Sequence, residues 1–203
     1  MGYLDGYKQN LEYYDSLMKQ YDDANHVGSW AGVDQTPRYK ELIDADFFSD
    51  ATILEIGCGL GGFLDYLIQS GFKVAGRYCG VDIVDKMQEI NEKKYPFCRF
   101  LTCNIVEEPL DEMFDIVVLC GVFNHKTPNG NEYMKRLLES SFKYCKKMLS
   151  FNFISSYVNF LSDDTEYHNP NDIMNFCIEN LSSQVRINHH YWKCDTSCKV
   201  YKK

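Results

Sequence analysis

The sequence lacks several features that would place it quickly. It has no apolar run near the roughly 20 residues that a membrane-spanning helix needs. Its first 20 residues contain Asp, Lys and Glu and no apolar h-region, so no secretory leader is expected. Position 6 is Gly rather than Ser or Thr, which argues against an N-myristoyl signal after Met1-Gly2. There is no Lys/Arg stripe, and the net charge is −8, so neither a nucleic-acid backbone nor an anionic membrane surface is expected as a partner. Cys194-x3-Cys198 lies near His189 and His190 but has no second Cys pair, so no metal site is expected. No internal repeat, low-complexity tract or linker breaks the chain, so residues 1–203 are expected to form one domain. Nine cysteines in a leaderless chain read as reduced thiols, which points to the cytoplasm.

What the sequence does have is alternation. Residues 3–22 carry Leu4, Tyr7, Leu11, Tyr14, Leu17 or Met18, and Tyr21 at helical spacing. A loop over 23–37 and a helix over about 37–47, opened by Thr36-Pro37, complete an N-terminal helical segment, 1–47, that reads as a lid. Strands are predicted at about 51–56, 77–82, 98–103, 114–120, 147–154, 184–192 and 196–202. Helices are predicted between them at about 61–70, 84–94, 130–145 and 170–181. The run Phe114-Asp115-Ile116-Val117-Val118-Leu119-Cys120 is the near-continuous apolar stretch of a central parallel strand. The pattern predicts an α/β fold over 50–203: a Rossmann-like, doubly wound, seven-stranded sheet. It should be mostly parallel, with one antiparallel strand in a C-terminal hairpin.

The chemistry concentrates at Ile53-Leu54-Glu55-Ile56-Gly57-Cys58-Gly59-Leu60-Gly61-Gly62-Phe63. This reads as a buried strand, a glycine turn and the first turn of a helix, a nucleotide-type pocket at the carboxyl end of a strand. Gly57, Gly59 and Gly62 fit the dinucleotide template G-x-G-x-x-G. Glu55 with Gly57, Gly59 and Gly61 fits a second template, E-x-G-x-G-x-G. Glu55 puts a carboxylate where a sulfonium and an ammonium suit it better than a pyrophosphate does. Asp82, twenty residues past Gly62, ends the next strand and can take two ribose hydroxyls, as acids do in NAD sites too.

The second template resembles motif I of the class I S-adenosylmethionine (SAM) dependent methyltransferases, and the resemblance runs over about residues 50–202. It implies SAM as cofactor, methyl transfer as the reaction, an N-terminal helix over the SAM site and a small, stand-alone, bacterial-type member of that superfamily. Carried over residue by residue, it assigns Glu55, Gly57, Cys58, Gly59, Gly61 and Asp82 to the cofactor. Ile83 would lie against the adenine face, and Asn104, followed by Ile105, would accept from the adenine amino group. Cys120 and Gly121 end strand four at the switch point, where the methyl group should sit. The Asn/Asp-Pro-Pro-aromatic tetrad of amine and nucleobase N-methyltransferases does not occur after strand four, which argues against DNA-base or glutamine-amide methylation.

The acceptor side is read from residue chemistry. His125 and His190 are the candidate bases for a hydroxyl that receives a methyl group. Strand alternation puts His189 on the core side of its strand and His190 on the polar side. Trp30, Arg38, Asn124 and Tyr157 are candidate substrate contacts, with Arg38 read either as a carboxylate clamp or as a surface ion pair. The loop 155–169 should shape the acceptor pocket. The expected activity is O-methylation of a small-molecule or sugar-type acceptor by a monomer or homodimer. The rivals are N-methylation of a small amine, a SAM-binding partner subunit without catalysis, and an NAD(P) oxidoreductase. The last is weakened by the lack of a Tyr-x-x-x-Lys proton donor after strand four.

Overall fold

A computed structural model describes residues 2–21 and 33–203, without the side chain of His190. Trp30 and most of the predicted 23–37 loop lie outside the described residues. The described residues form β1 (Ile53–Ile56), β2 (Tyr78–Asp82), β3 (Arg99–Thr102), β4 (Phe114–Leu119), β5 (Cys145–Ile154), β6 (Val185–Trp192) and β7 (Asp195–Tyr201). The helices are α1 (Tyr3–Gln20), α2 (Thr36–Leu42), α3 (Ala45–Phe48), α4 (Gly62–Gln69), α5 (Asp85–Lys94), α6 (Gly130–Lys143) and α7 (Pro170–Asn180).

One seven-stranded sheet runs in the order β3-β2-β1-β4-β5-β7-β6. β7 lies antiparallel to both β5 and β6, and the other pairings are parallel. The chain winds outward from β1 to β3, then returns to place β4 beside β1. That neighbouring pair is the switch point, and a crevice opens at its carboxyl end. The apolar run of β4 explains its central place. Val117, Val118 and Leu119 are fully buried, each worth about 1.5–3 kcal/mol relative to exposure. Side chains alternate to two cores: Leu54, Ile56, Val117 and Leu119 pack toward α6 and α7, while Ile53, Ile116 and Val118 pack toward α2, α3 and α4.

Three local readings are corrected by the structure. The helix expected over 37–47 is two helices, broken at Ile43-Asp44, where the Asp44 carboxylate caps α3 by accepting from Asp46 N at 3.3 Å. The inner face of α1 begins at Tyr3, Gly6 and Asn10, and Leu4 is half exposed. Gly6 has a packing reason: a Cβ there would come within 3.1 Å of the Tyr133 ring. In β6 the pairing register shifts between Asn188 and Trp192, so strict alternation fails there. His189 is exposed, not core-facing, and its Nε2 meets Ser155 Oγ at 2.7 Å.

Candidate functional site

The crevice beyond β1 and β4 holds a cavity of about 450 Å³. Its floor is the glycine turn. Gly57, Gly59 and Gly61 have φ of +72°, +52° and +79°, whereas Gly62 opens α4 without a positive φ. The conformational demand therefore falls on the E-x-G-x-G-x-G set. Gly62 is small for another reason: a Cβ there would meet the Tyr39 hydroxyl at 2.5 Å. A Cβ on Gly59 would meet no protein atom within 4 Å, so the turn is open there for a ligand to approach.

The turn is pinned from two sides that the sequence reading did not anticipate. Asn91 Nδ2 of α5 donates to Gly59 O at 2.7 Å, and Gln88 Nε2 donates to Leu101 O at 2.9 Å. Both residues are buried on α5 alongside Met87. On the other side Asp82 Oδ2 accepts from Gly59 N at 2.8 Å, and Oδ1 accepts from Ile83 N at 2.8 Å and Val84 N at 3.1 Å. Asp82 lines the cavity as expected, but much of its acceptor capacity already holds the backbone.

Glu55 is 2% exposed, lines the cavity and accepts from the Tyr78 hydroxyl. Burial pushes its carboxyl up to about 8, against the Tyr78 hydrogen bond, and the neighbouring Asp82 adds to the rise. Burial also raises Asp82, opposed by its three backbone donors. No Lys or Arg among the described residues forms an ion pair with either carboxylate. Two buried, uncompensated acids beside a glycine turn favour a cation and oppose a pyrophosphate. The pocket thus fits the sulfonium and ammonium of SAM better than the phosphates of NAD.

At the far end, Ile83, Asn104 and Ile105 line the cavity beneath α1, which contributes Tyr3, Asn10 and Tyr14. Asn104 Oδ1 is already occupied, accepting from the Tyr3 hydroxyl at 2.7 Å and from Val106 N at 3.2 Å. Tyr3 in turn stacks on Tyr133, ring centroids 5.2 Å apart. Aromatic spacing made α1 legible, but Asn10 carries no apolar signal and was not singled out.

At the methyl end the cavity reaches Cys58, Cys120 and Gly121. Arg38 also lines it and is fully buried, so the surface-pair reading is wrong. Its Nε donates to Asp195 Oδ2 at 2.6 Å, and its guanidinium lies 5.2 Å from the Trp192 ring centroid. Asp195 also accepts from Asn152 Nδ2 at 2.9 Å, and Asn152 Oδ1 accepts from Gly121 N at 2.8 Å. This chain, Arg38–Asp195–Asn152–Gly121, fixes the backbone just past β4. Neither Asn152 nor Asp195 was visible as a site residue, because nothing in sequence pairs them with position 38.

Asn124 sits beside this chain. A Cβ on Gly121 would lie 3.5 Å from Asn124 Nδ2 and 3.6 Å from an Arg38 terminal nitrogen. Both amide atoms of Asn124 are buried without a hydrogen-bond partner among the described residues. His125 stacks on Tyr13 of α1, centroids 3.9 Å apart, and its Nε2 is buried without a partner. Burial lowers its pKa, opposed by Asp164, which favours the neutral ring. Neither Asn124 nor His125 is among the described residues that line the cavity. Tyr157 is 57% exposed, accepts from Asn171 Nδ2 at 2.7 Å and also stands apart from the cavity. His190 lies on β6, and its side chain is outside the described residues. Among the described residues no helix is long and apolar enough to cross a membrane.

Comparison with known proteins agrees with this geometry. Residues 53–146 match the family model of a methyltransferase domain. The chain is 28% identical over 153 residues to Rv1506c of Mycobacterium tuberculosis, a protein named as a methyltransferase, covering 72% of this chain and 89% of that one. Its fold resembles magnesium protoporphyrin IX methyltransferase (ChlM) of Synechocystis PCC 6803 with bound SAH. The TM-score is 0.70 and the identity 15%, over 97% of this chain and 99% of that one. It also resembles DhpI in a complex with SAM and HEP, with a TM-score of 0.69 and 14% identity over 96% and 97% of the two chains. A buried acid, three left-handed glycines and a second acid lie at the β1–β4 switch point of a sheet whose fold matches those structures, and together with the matched methyltransferase domain they make this chain similar to the class I SAM-dependent methyltransferases.

Proposed function

We propose that this enzyme methylates a hydroxyl of a small molecule, bound over Cys120 and Gly121 between Arg38 and Asn124. The observation that carries the reading is the Asn124 amide. It is a buried donor and acceptor with no partner among the described residues, and a Cβ on Gly121, which lines the cavity, would lie 3.5 Å from its Nδ2 and 3.6 Å from an Arg38 terminal nitrogen. Leaving such groups unmade costs about 1–3 kcal/mol each, so a bound polar molecule is the natural partner.

Gly57, Cys58, Gly59 and Gly61 would cradle SAM, with Glu55 and Asp82 facing its charge and ribose. Ile83, Asn104 and Ile105 would enclose its adenine. Bound SAM supplies a methyl group already activated by a sulfonium leaving group. The residues of the chain then have three tasks. The Arg38–Asp195–Asn152 chain holds Gly121 in place. Asn124 orients the acceptor by donating to one oxygen and accepting from another. His125, whose Nε2 is buried outside the described cavity lining, would take the hydroxyl proton once acceptor binding brings that nitrogen to the oxygen that becomes nucleophilic. Most of the acceleration comes from this positioning. ChlM is named for methylation of magnesium protoporphyrin IX, which is consistent with a small acceptor here.

The test is a panel of small hydroxyl and amine acceptors, assayed with methyl-labelled SAM and the His125→Ala and Asn124→Ala variants. The expected result is transfer to a hydroxyl, with kcat lowered about 100-fold or more in His125→Ala. Asn124→Ala should mainly raise the acceptor KM. Turnover confined to amines and indifferent to His125 would replace this reading with N-methylation.

A further inference from the structure

Asn104, the residue expected to receive the adenine amino group, has its side-chain oxygen filled by the Tyr3 hydroxyl and Val106 N. The same end of the cavity contains another acceptor. Asn10 of α1 is 4% exposed and lines the cavity, and its Oδ1 is buried with no partner among the described residues. The side-chain carbonyl is therefore an unsatisfied acceptor among the described residues. Tyr3 lies two turns before Asn10, stacked on Tyr133 and bonded to Asn104, and Tyr14 lies one turn after it on the cavity wall. Asn10 therefore projects from the roof at the end enclosed by Ile83, Asn104 and Ile105.

We infer that Asn10 Oδ1 accepts a hydrogen bond from the exocyclic amino group of the cofactor's adenine, so that α1 reads the base as well as covering it. The inference rests on the cavity taking SAM. A purine amino group carries two hydrogens and needs an acceptor in a dry pocket, and this roof offers one unfilled carbonyl. The bond also ties α1 to the ligand. Other polar contacts of α1 among the described residues include Gln9 Nε2 to Lys126 O at 3.1 Å and Lys86 Nζ to Met18 O at 2.9 Å.

The experiment is calorimetric binding of S-adenosylhomocysteine and S-inosylhomocysteine, which has a keto oxygen in place of the amino group. The full chain is compared with its Asn10→Leu and Asn10→Ala variants. The wild type is expected to prefer the adenine compound by at least tenfold, because the keto oxygen would face Asn10 Oδ1. In both variants that preference should fall at least tenfold. The readout is a ratio, so a general loosening of α1 that weakens both ligands leaves it unchanged. Equal binding of the two ligands by the wild type would overturn the inference without any variant. A preference that persists in the variants would overturn it too. If the wild type binds neither compound, it is the assignment of the cavity to SAM that fails.

Discussion

Binding of SAM should expel a proton from Glu55, and the amount can be worked out. In the ligand-free protein burial holds this carboxyl up at about 8. A sulfonium or ammonium nearby stabilises the charged form and lowers that value. If the bound value falls well below 6, release should be about 0.9 proton at pH 7, half a proton at pH 8 and about 0.1 at pH 9. Affinity should rise about tenfold per unit from pH 6 to 7 and level off above pH 8. The same group has a signature in the absence of ligand. Its folded value lies above the ordinary carboxylate value, so between about pH 4.5 and 8 the unfolded chain binds fewer protons than the folded one. Stability is therefore fully present below that window and falls by up to about 1.4 kcal/mol per unit across it. The assay is calorimetry in two buffers of unlike ionisation enthalpy, with Glu55→Gln as the comparison. Binding heats that do not depend on the buffer, or proton release that survives in Glu55→Gln, would refute the assignment.

Other outcomes follow from the same structure. Asp195→Ala strands the fully buried Arg38 guanidinium and should cost about 3–5 kcal/mol by urea unfolding, whereas Arg38→Met with Asp195→Leu should cost much less. The pH profile of kcat/KM should show an acid limb set by His125, lying below the ordinary imidazole value because burial disfavours its charge, and His125→Ala should remove that limb.

The parts of the fold that were legible are those where one physical demand acts on neighbouring residues. β4 announced itself because a strand buried on both faces must be apolar throughout, and Asn169-Pro170 marked the start of α7 because a cap and a Pro act locally. The glycine turn and Asp82 could be found because backbone conformation and charge fall in one short stretch. What stayed hidden depends on distant partners. Asn152 and Asp195 are unremarkable polar residues until the sheet brings them to Arg38. Gln88 and Asn91 look like solvent positions on α5, yet they face the turn they pin. Asn10 reads as a break in an apolar stripe, although it belongs to the inner face of α1. His189 was misplaced because the irregular register of β6 breaks the period of two from which its face was inferred.

The central claim is that the glycine turn below α1 is a SAM site. The most direct measurement is calorimetric binding of S-adenosylhomocysteine and of NAD to the wild type and to Gly59→Ala. In the free protein a Cβ at Gly59 meets no atom within 4 Å, so that variant should fold despite the strain of its left-handed backbone, while its methyl group intrudes on a bound ligand. The structure predicts micromolar binding of S-adenosylhomocysteine, lost or weakened at least tenfold in Gly59→Ala, and no binding of NAD. NAD binding without binding of S-adenosylhomocysteine would contradict it.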